Sequence, residues 1–484
     1  MALPGRADDG ATSPSDATPS GRVETVDGGA AVTPKELKKR ATAWALWDVG
    51  NSAFQAVVVT FVFATYLASD LFIDPQVAAL GDANPLDPQY LAAQAASTNV
   101  IANLSTVAGL LVALIAPVLG QRSDGSGKRK LWLGIFTGIT VLIMLAMFFI
   151  QPGEEYLFWG ALLLAVGTIF AELSGVNYNA MLSQVSTPKN VGRISGIGWG
   201  FGYLGSIVLL VLLLVLFIQS FGVEGRNGVL GVPSGVDGGA LDIRFAIVLA
   251  AVWYVVFALP VMFKVPEIAK DENRPKVGFF ASYGVLFRVI GKLAKSDPKL
   301  LLFLAASAVF RDGLQAIFAF GAILAAQVYG FAPSEVIYFA VAANLVAGLG
   351  TLAAGWFDDR FGPKLVIMAS LVSLTAFSVV LLFLPSEQTV FWIFGLALCL
   401  FVGPAQAASR SYLSRATPPG REGELFGLYA TTNRVASFIT PALFSLFVFL
   451  SGNPKMGIIG IGIVLAVGFL MMLPVPSKVK QASA

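Results

Sequence analysis

Apolar runs broken by short polar segments fill the chain from residue 42 to residue 474. A helix needs roughly 20 predominantly apolar residues to cross a bilayer, and twelve runs qualify. They fall near 42–72, 97–120, 131–150, 157–181, 194–221, 242–263, 299–328, 335–357, 363–384, 389–412, 424–450 and 456–474. Residues 1–33 are Gly, Ala, Ser, Asp and Pro without a periodic apolar face, and they are expected to be a disordered tail. They lack the order of a cleaved signal peptide. Segments 74–96 and 222–241 are rich in Asp, Pro and Gly and read as surface loops. The longest connection, 265–298, divides the spans six and six. Within it, residues 279–295 are basic and amphipathic, the pattern of a helix lying on a membrane surface, with a solvated linker helix as the alternative. The expected organisation is a six-helix bundle at 34–264, a linker at 265–298, a second six-helix bundle at 299–474 and a tail at 475–484.

Lys and Arg orient the spans. One alternate set of loops holds nearly all of them, including Lys35, Arg40, Arg122, Lys128, Lys189, Lys264, Lys295, Arg360, Arg410, Arg415 and Lys478. The other set holds Arg226, Arg244 and Lys455. The positive-inside rule then places the basic loops and both termini in the cytoplasm.

Polar residues interrupt this pattern inside two spans. Leu300–Tyr329 is long enough to cross a bilayer, yet its middle carries Arg311, Asp312 and Gln315. A charge at the bilayer centre costs at least about 3 kcal/mol, so such residues face a cavity or a partner. Asp48, Asn51 and Phe54 recur at the spacing of Asp312, Gln315 and Phe318. Two further segments repeat in the same order. Gly120, Asp124, Gly127 and Arg129 match Gly355, Asp359, Gly362 and Lys364, and LSQVSTPKNVGRISG matches LSRATPPGREGELFG, pairing Leu182 with Leu413 and Gly196 with Gly427. Matching loops share sidedness, so the repeat is parallel.

The loops GQRSDGSGKRK and GWFDDRFGPKL resemble the major facilitator signature G-x-x-x-D-x-x-G-x-[KR]. WALWDVGNSAF, GRISGIGWGFGYLGS, RDGLQAIFAFG and SRSYLSRATPPGREGELFGLY are similar to the "unknown major facilitator" group, related to the autophagy-linked vacuolar amino-acid effluxer of fungi. The resemblance covers residues 42–474. It implies an all-α integral membrane protein: twelve transmembrane helices in two six-helix bundles related by a parallel pseudo-two-fold. It also implies transport by alternating access. Two positions depart from the group: Val49 replaces an aromatic residue and Arg311 replaces a neutral polar one. Both are expected at the cavity, so a relative's substrate does not transfer directly.

Composition narrows the chemistry. Of 484 residues, 56% are hydrophobic and 13% charged, with mean hydropathy +0.76; soluble domains carry about 25% charged residues. A net charge of +3 gives no reason to expect nucleic acid. The chain has no histidine, which excludes His-ligated metals, His proton relays and Ser-His-Asp catalysis. Cys399 is the single cysteine, so no intramolecular disulfide forms. No Walker loop, metal cluster or nucleophile set is present; neither an enzyme nor a resident cofactor or metal is expected.

The candidate substrate- or proton-binding residues are therefore Asp48, Asn51, Glu172, Arg311, Asp312, Gln315 and Arg434. Asp312 is the first choice for proton exchange, since burial and neighbouring charge move a carboxyl pKa in opposite directions. The alternative is that these acids only pair with other spans and hold helices together. Arg434 either presents its guanidinium to a substrate carboxylate or is neutralised by Glu172 or Asp312. Gly120, Arg122, Asp124, Arg129, Gly355, Asp359, Arg360 and Lys364 are expected to gate the cytoplasmic face. The glycines of the fifth span, Gly196 to Gly205, read as close helix packing, with a hinge as the alternative. The expected function is secondary transport of a small polar or zwitterionic solute, such as an amino acid, coupled to protons. Its expected setting is a bacterial cytoplasmic membrane, as a monomer in the bilayer. An exporter of lipid or drug-like compounds on the same fold is the other reading.

Overall fold

Thr33 begins the first long helix: its hydroxyl accepts from the Glu36 amide at 3.3 Å and Pro34 supplies the first helical residue, a position where proline's missing N–H costs nothing. Asp87 starts the second span in the same way, ahead of Pro88, and Asp297 starts the seventh ahead of Pro298. The computed structural model describes residues 24–25, 31–84, 86–218, 228–235, 238–268, 279–331 and 333–477.

The elements of the first half are α1 (Pro34–Ala53), α2 (Phe63–Leu67), α3 (Pro75–Ala83), α4 (Pro88–Ser126), α5 (Arg129–Met147), α6 (Glu154–Ala180), α7 (Leu182–Val185), α8 (Val191–Leu213) and α9 (Leu241–Lys264). A surface helix α10 (Phe279–Ser296) follows. The second half holds α11 (Pro298–Gln327), α12 (Pro333–Phe361), α13 (Pro363–Phe383), α14 (Gln388–Ala416), α15 (Glu422–Ala436), α16 (Ile439–Ser451) and α17 (Gly457–Met472). Twelve spans result, the first running from α1 through a π-helical stretch at Phe54–Phe61 into α2, and the eleventh made of α15 and α16. A two-residue antiparallel pair, β1 (Glu24–Thr25) with β2 (Ala31–Val32), is the only strand structure among the described residues. The rest of the expected 1–33 tail, the 269–278 part of the linker and residues 478–484 lie outside the described residues.

Segment 74–96 is not a loop, as its Asp, Pro and Gly content had suggested. Asp74 and Asp87 each accept from backbone amides at a helix start, so the segment forms α3 and the first turns of α4. At about 58 Å, counting 1.5 Å per residue over 39 residues, α4 outreaches the hydrocarbon layer.

Two apolar cores organise the molecule. One is built wholly from the first half, around Trp44, Trp47, Phe54, Phe63 and Tyr254. The other fills the second half and takes in Val112, Ala116, Leu173 and Val176 from α4 and α6. The halves therefore share a seam. It runs along α4 against α15 and along α8 against α12, at the end of the bundle where α1 begins and α17 ends. Towards the other end α16 packs on α11 and α17 of its own half. Among the described residues, hydrogen bonds that cross between halves fall on the side where α1 begins and α17 ends. Among the described residues, the polar contacts between the halves gather at that end.

Candidate functional site

The seam rests on the duplicated loops. Gly127 ends α4 at φ +68° and Gly362 precedes α13 at φ +93°, a left-handed conformation that favours glycine. Each turn leaves an aspartate facing the opposite half. Asp124 accepts from the amides of Gly423 and Glu424, both at 2.9 Å, in the first turn of α15. Asp359 accepts from the amides of Gly192 and Arg193, at 2.8 and 3.1 Å, in the first turn of α8. Each carboxylate thus sits on the positive end of a helix from the other half, where both the free N–H groups and the dipole favour an anion. Glycine makes the approach possible: a Cβ on Gly120 would lie 2.0 Å from the Gly423 carbonyl oxygen, and one on Gly355 would lie 3.0 Å from the Arg193 Cα.

The cations around the two aspartates differ. Arg129 is fully buried, donates to Asp124 at 2.8 Å and forms an ion pair with Glu422. Its sequence partner Lys364 instead donates to the Leu473 and Val475 carbonyls. Arg415 takes the second site, 2.9 Å from Asp358 and 3.1 Å from Asp359. Arg122 and Arg360 are exposed, and Arg360 lies against the rings of Trp356 and Phe361. Of the residues expected to gate the cytoplasmic face, Gly120, Asp124, Arg129, Gly355 and Asp359 meet at the seam, while Arg122, Arg360 and Lys364 do not. Their helix phase turns them away from it. Glu422, Asp358 and Arg415 belong to the network instead. The acid pair Asp358–Asp359 and the acids beside Arg421 were visible in sequence, but the packing of α12 on α14 brings the first to Arg415, and only the cross-half docking brings Glu422 to Arg129.

A second cross-half contact lies further in. Arg410, expected among the loop cations, is buried at 3% exposure. It leaves α14 and enters the first half, donating to the Ser195 hydroxyl at 3.0 Å, the Ser195 carbonyl at 2.6 Å and Asn179 at 3.1 Å. Its guanidinium stands 4.9, 5.5 and 5.6 Å from the ring centres of Trp44, Tyr178 and Trp199, a cage suited to a cation. Asp48 lies 3.7 Å from Arg410 and accepts from the Tyr178 hydroxyl at 3.2 Å. Trp44 and Tyr178 stack at 4.3 Å and Tyr178 stacks on Trp47 at 4.3 Å, which fixes the phenol under Asp48. Asn51 accepts from Tyr254 at 3.0 Å. Val49 does not reach the cavity; it packs against Gly205 on α8. Gly196 and Gly200 lie against α12, while Gly202 and Gly205 lie against α1, so the glycines of α8 serve close packing on two sides.

The third cluster sits where the halves begin to part. Arg434 pairs with Glu172 across the seam, both partly exposed. Arg311 stacks on Tyr429 at 3.8 Å and points a nitrogen at the Tyr429 carbonyl, 3.4 Å away. Glu172 and Arg434 lie within electrostatic reach of Arg311. Gln315, one turn along α11, is exposed. Asp312, which follows Arg311, turns the other way: it is buried, and its Oδ2 accepts from the Thr440 amide and hydroxyl, both at 2.6 Å. Arg311 and Asp312 thus bracket the break in the eleventh span, one on α15 and one on the first turn of α16. With Arg410 included, the central region holds three acids, Asp48, Glu172 and Asp312, and three bases, Arg311, Arg410 and Arg434. Among the described residues no group of His, Cys, Asp and Glu could hold a metal ion.

A family model described as "Vacuole effluxer Atg22 like" matches residues 183–484. The chain belongs to this family. An uncharacterized MFS-type transporter, YxiO of Bacillus subtilis, is 25% identical over 450 residues, 92% of this chain and 96% of that one. Autophagy-related protein 22 of Cryptococcus neoformans is 25% identical over 313 residues, 60% of this chain and 50% of the fungal protein, so the match spans half the fungal relative. Among solved structures, the major facilitator transporter FucP in the outward conformation matches with a TM-score of 0.65 at 13% identity, over 91% of this chain and 99% of its own. The proton:xylose symporter XylE matches with a TM-score of 0.69 at 12% identity, over 92% and 98%. These two likenesses concern the fold: twelve spans in the major facilitator arrangement. The chain is a multi-pass transporter of that type.

Proposed function

We propose that the chain moves a small zwitterionic or anionic solute, an amino acid in the first instance, by alternating access across a bacterial cytoplasmic membrane. The observation that carries this reading is the Arg311–Tyr429 stack beside the Glu172–Arg434 pair, at the point where the halves separate. A carboxylate suits Arg311, whose planar fork binds it in bidentate fashion, and an ammonium suits the partly exposed Glu172. The family description and the fungal relatives support an effluxed solute. The charged chamber gives a lipid or drug-like compound no comparable partner.

In this reading the terminus-bearing, Lys/Arg-rich end is cytoplasmic and the seam described above is the closed gate of an outward-facing state. Opening requires Asp124 and Asp359 to leave their helix ends and Arg410 to leave its cage. Proton coupling enters through Asp48, Glu172 or Asp312. Asp48 and Glu172 have their cations on the opposite half, so protonating either weakens the seam. The two donors to Asp312 come from its own half, which makes it the weaker coupling element.

The test is uptake of a labelled amino-acid mixture into proteoliposomes, with and without an imposed pH gradient, for wild type and Arg311→Gln. Accumulation by wild type that Arg311→Gln loses supports the reading. Amino acids failing to accumulate in wild type, or accumulating equally in the variant, overturn it.

A further inference from the structure

Helix α10 presents three faces. At 100° per residue, Ser282, Leu286 and Leu293 share one face, and Leu286 joins the core formed by Val112 and Ala116 of α4 with Leu300 and Phe303 of α11. Next to it runs an apolar stripe of Phe280 and Phe287, 85% and 69% exposed. Beyond that lie Arg288, Lys292 and Lys295, all exposed and with no acid paired to them among the described residues.

The helix also sits at a definite depth. The Tyr283 hydroxyl donates to the Leu114 carbonyl at 3.1 Å. Leu114 lies in the apolar part of α4, seven residues before Gln121, or about 10 Å along the helix axis. Interfacial helices bury their apolar face about 5–10 Å into the boundary between headgroups and acyl chains. At that depth the medium around Phe280 and Phe287 is acyl chain, and the basic edge beside them lies where headgroup phosphates lie.

We propose that α10 is a binding site for anionic phospholipid: Phe280 and Phe287 insert among acyl chains, and Arg288, Lys292 and Lys295 hold the headgroup. The helix touches α4 in one half and α11 in the other, both at the closed end. Anionic lipid at this edge therefore clamps the two halves in the closed arrangement. Each basic residue near an anionic surface contributes comparably, so removing all three weakens lipid binding on the order of 100-fold.

The test uses the full chain in nanodiscs of phosphatidylcholine, alone or with one third phosphatidylglycerol, and reads the unfolding temperature. Wild type is expected to unfold several degrees higher with phosphatidylglycerol. Arg288→Gln/Lys292→Gln/Lys295→Gln should lose that gain while unfolding at the wild-type temperature in phosphatidylcholine alone. Lys128→Gln/Lys189→Gln, which removes two exposed cations at the same end, should keep it. Single Lys292→Gln should lose part of the gain, which protects the test against a triple variant that folds poorly. An equal gain in wild type and the single and triple variants, or no gain in wild type, overturns the proposal.

Discussion

Arg410 reaches out of the second half of the molecule, threads the aromatic cage of the first, and comes within 3.7 Å of Asp48. Nothing but its guanidinium geometry lets one side chain meet the Ser195 hydroxyl, the Ser195 carbonyl and Asn179 together. Lysine has the charge without the planar fork. Arg410→Lys should therefore lose two charge-assisted bonds and weaken the closed state by about 3 kcal/mol. The readout is maleimide labelling of a thiol at Ser183→Cys, a seam position beside Glu422. Buried Cys399 leaves the background low. Faster labelling in Arg410→Lys is expected; an unchanged rate would remove Arg410 from the closure.

Asp124 and Asp359 cap helices of opposite halves, and Asp124 also holds buried Arg129. Asp124→Ala leaves Arg129 with Glu422 as its one remaining acid and two α15 amides without the carboxylate that accepts from them. Breaking a buried ion pair costs about 3–5 kcal/mol. Asp359→Ala retains the Asp358–Arg415 pair and should cost less, about 1–2 kcal/mol for the lost cap. Unfolding midpoints of the two variants should fall in that order.

Glycine substitutions separate seam from lipid-facing surface. Gly120→Ala would press a Cβ against the Gly423 carbonyl, so it should destabilise by about 1–3 kcal/mol. Gly138, in α5, has nothing within 4 Å of its Cβ position. Gly138→Ala should be neutral or stabilising by up to about 1 kcal/mol, since alanine is the better helix former. Thermal unfolding of the pair in one detergent decides it.

Glu172→Gln leaves Arg434 facing the chamber without an acid, and should abolish transport with a stability loss of about 2 kcal/mol, between the exposed and buried extremes. The charge swap Glu172→Arg/Arg434→Glu should recover much of the stability but not transport, because substrate meets the two charges in a fixed order relative to Arg311. Full recovery of transport would make the pair a strut rather than part of the site.

Proton coupling divides Asp48 from Asp312. Asp48→Asn should abolish gradient-driven accumulation while exchange of solute persists. Asp312→Asn should lower stability by about 1 kcal/mol, because its Thr440 bonds lose their charge assistance, and leave gradient-driven accumulation partly intact. The reverse pattern in proteoliposomes would return the coupling role to Asp312.

Twelve spans, their division into halves and the duplicated loop signature follow from the sequence alone, because hydrocarbon demands long apolar helices and a repeat needs no coordinates to be seen. Asp48, Glu172, Arg311, Asp312 and Arg434 also stood out as charges that lipid does not tolerate. Which charge meets which did not follow. Arg410 reads as a loop cation because it lies one turn from Arg415 near a basic helix end, and only docking of the halves buries it among Trp44, Tyr178 and Trp199. Lys364 matches Arg129 by spacing, yet Arg415 of α14 fills the equivalent place beside Asp359, because Lys364 turns to the Leu473 and Val475 carbonyls instead. Span positions are a property of local hydropathy; ion-pair partners depend on how two bundles meet, and that is set by close glycine contacts hundreds of residues apart in the chain.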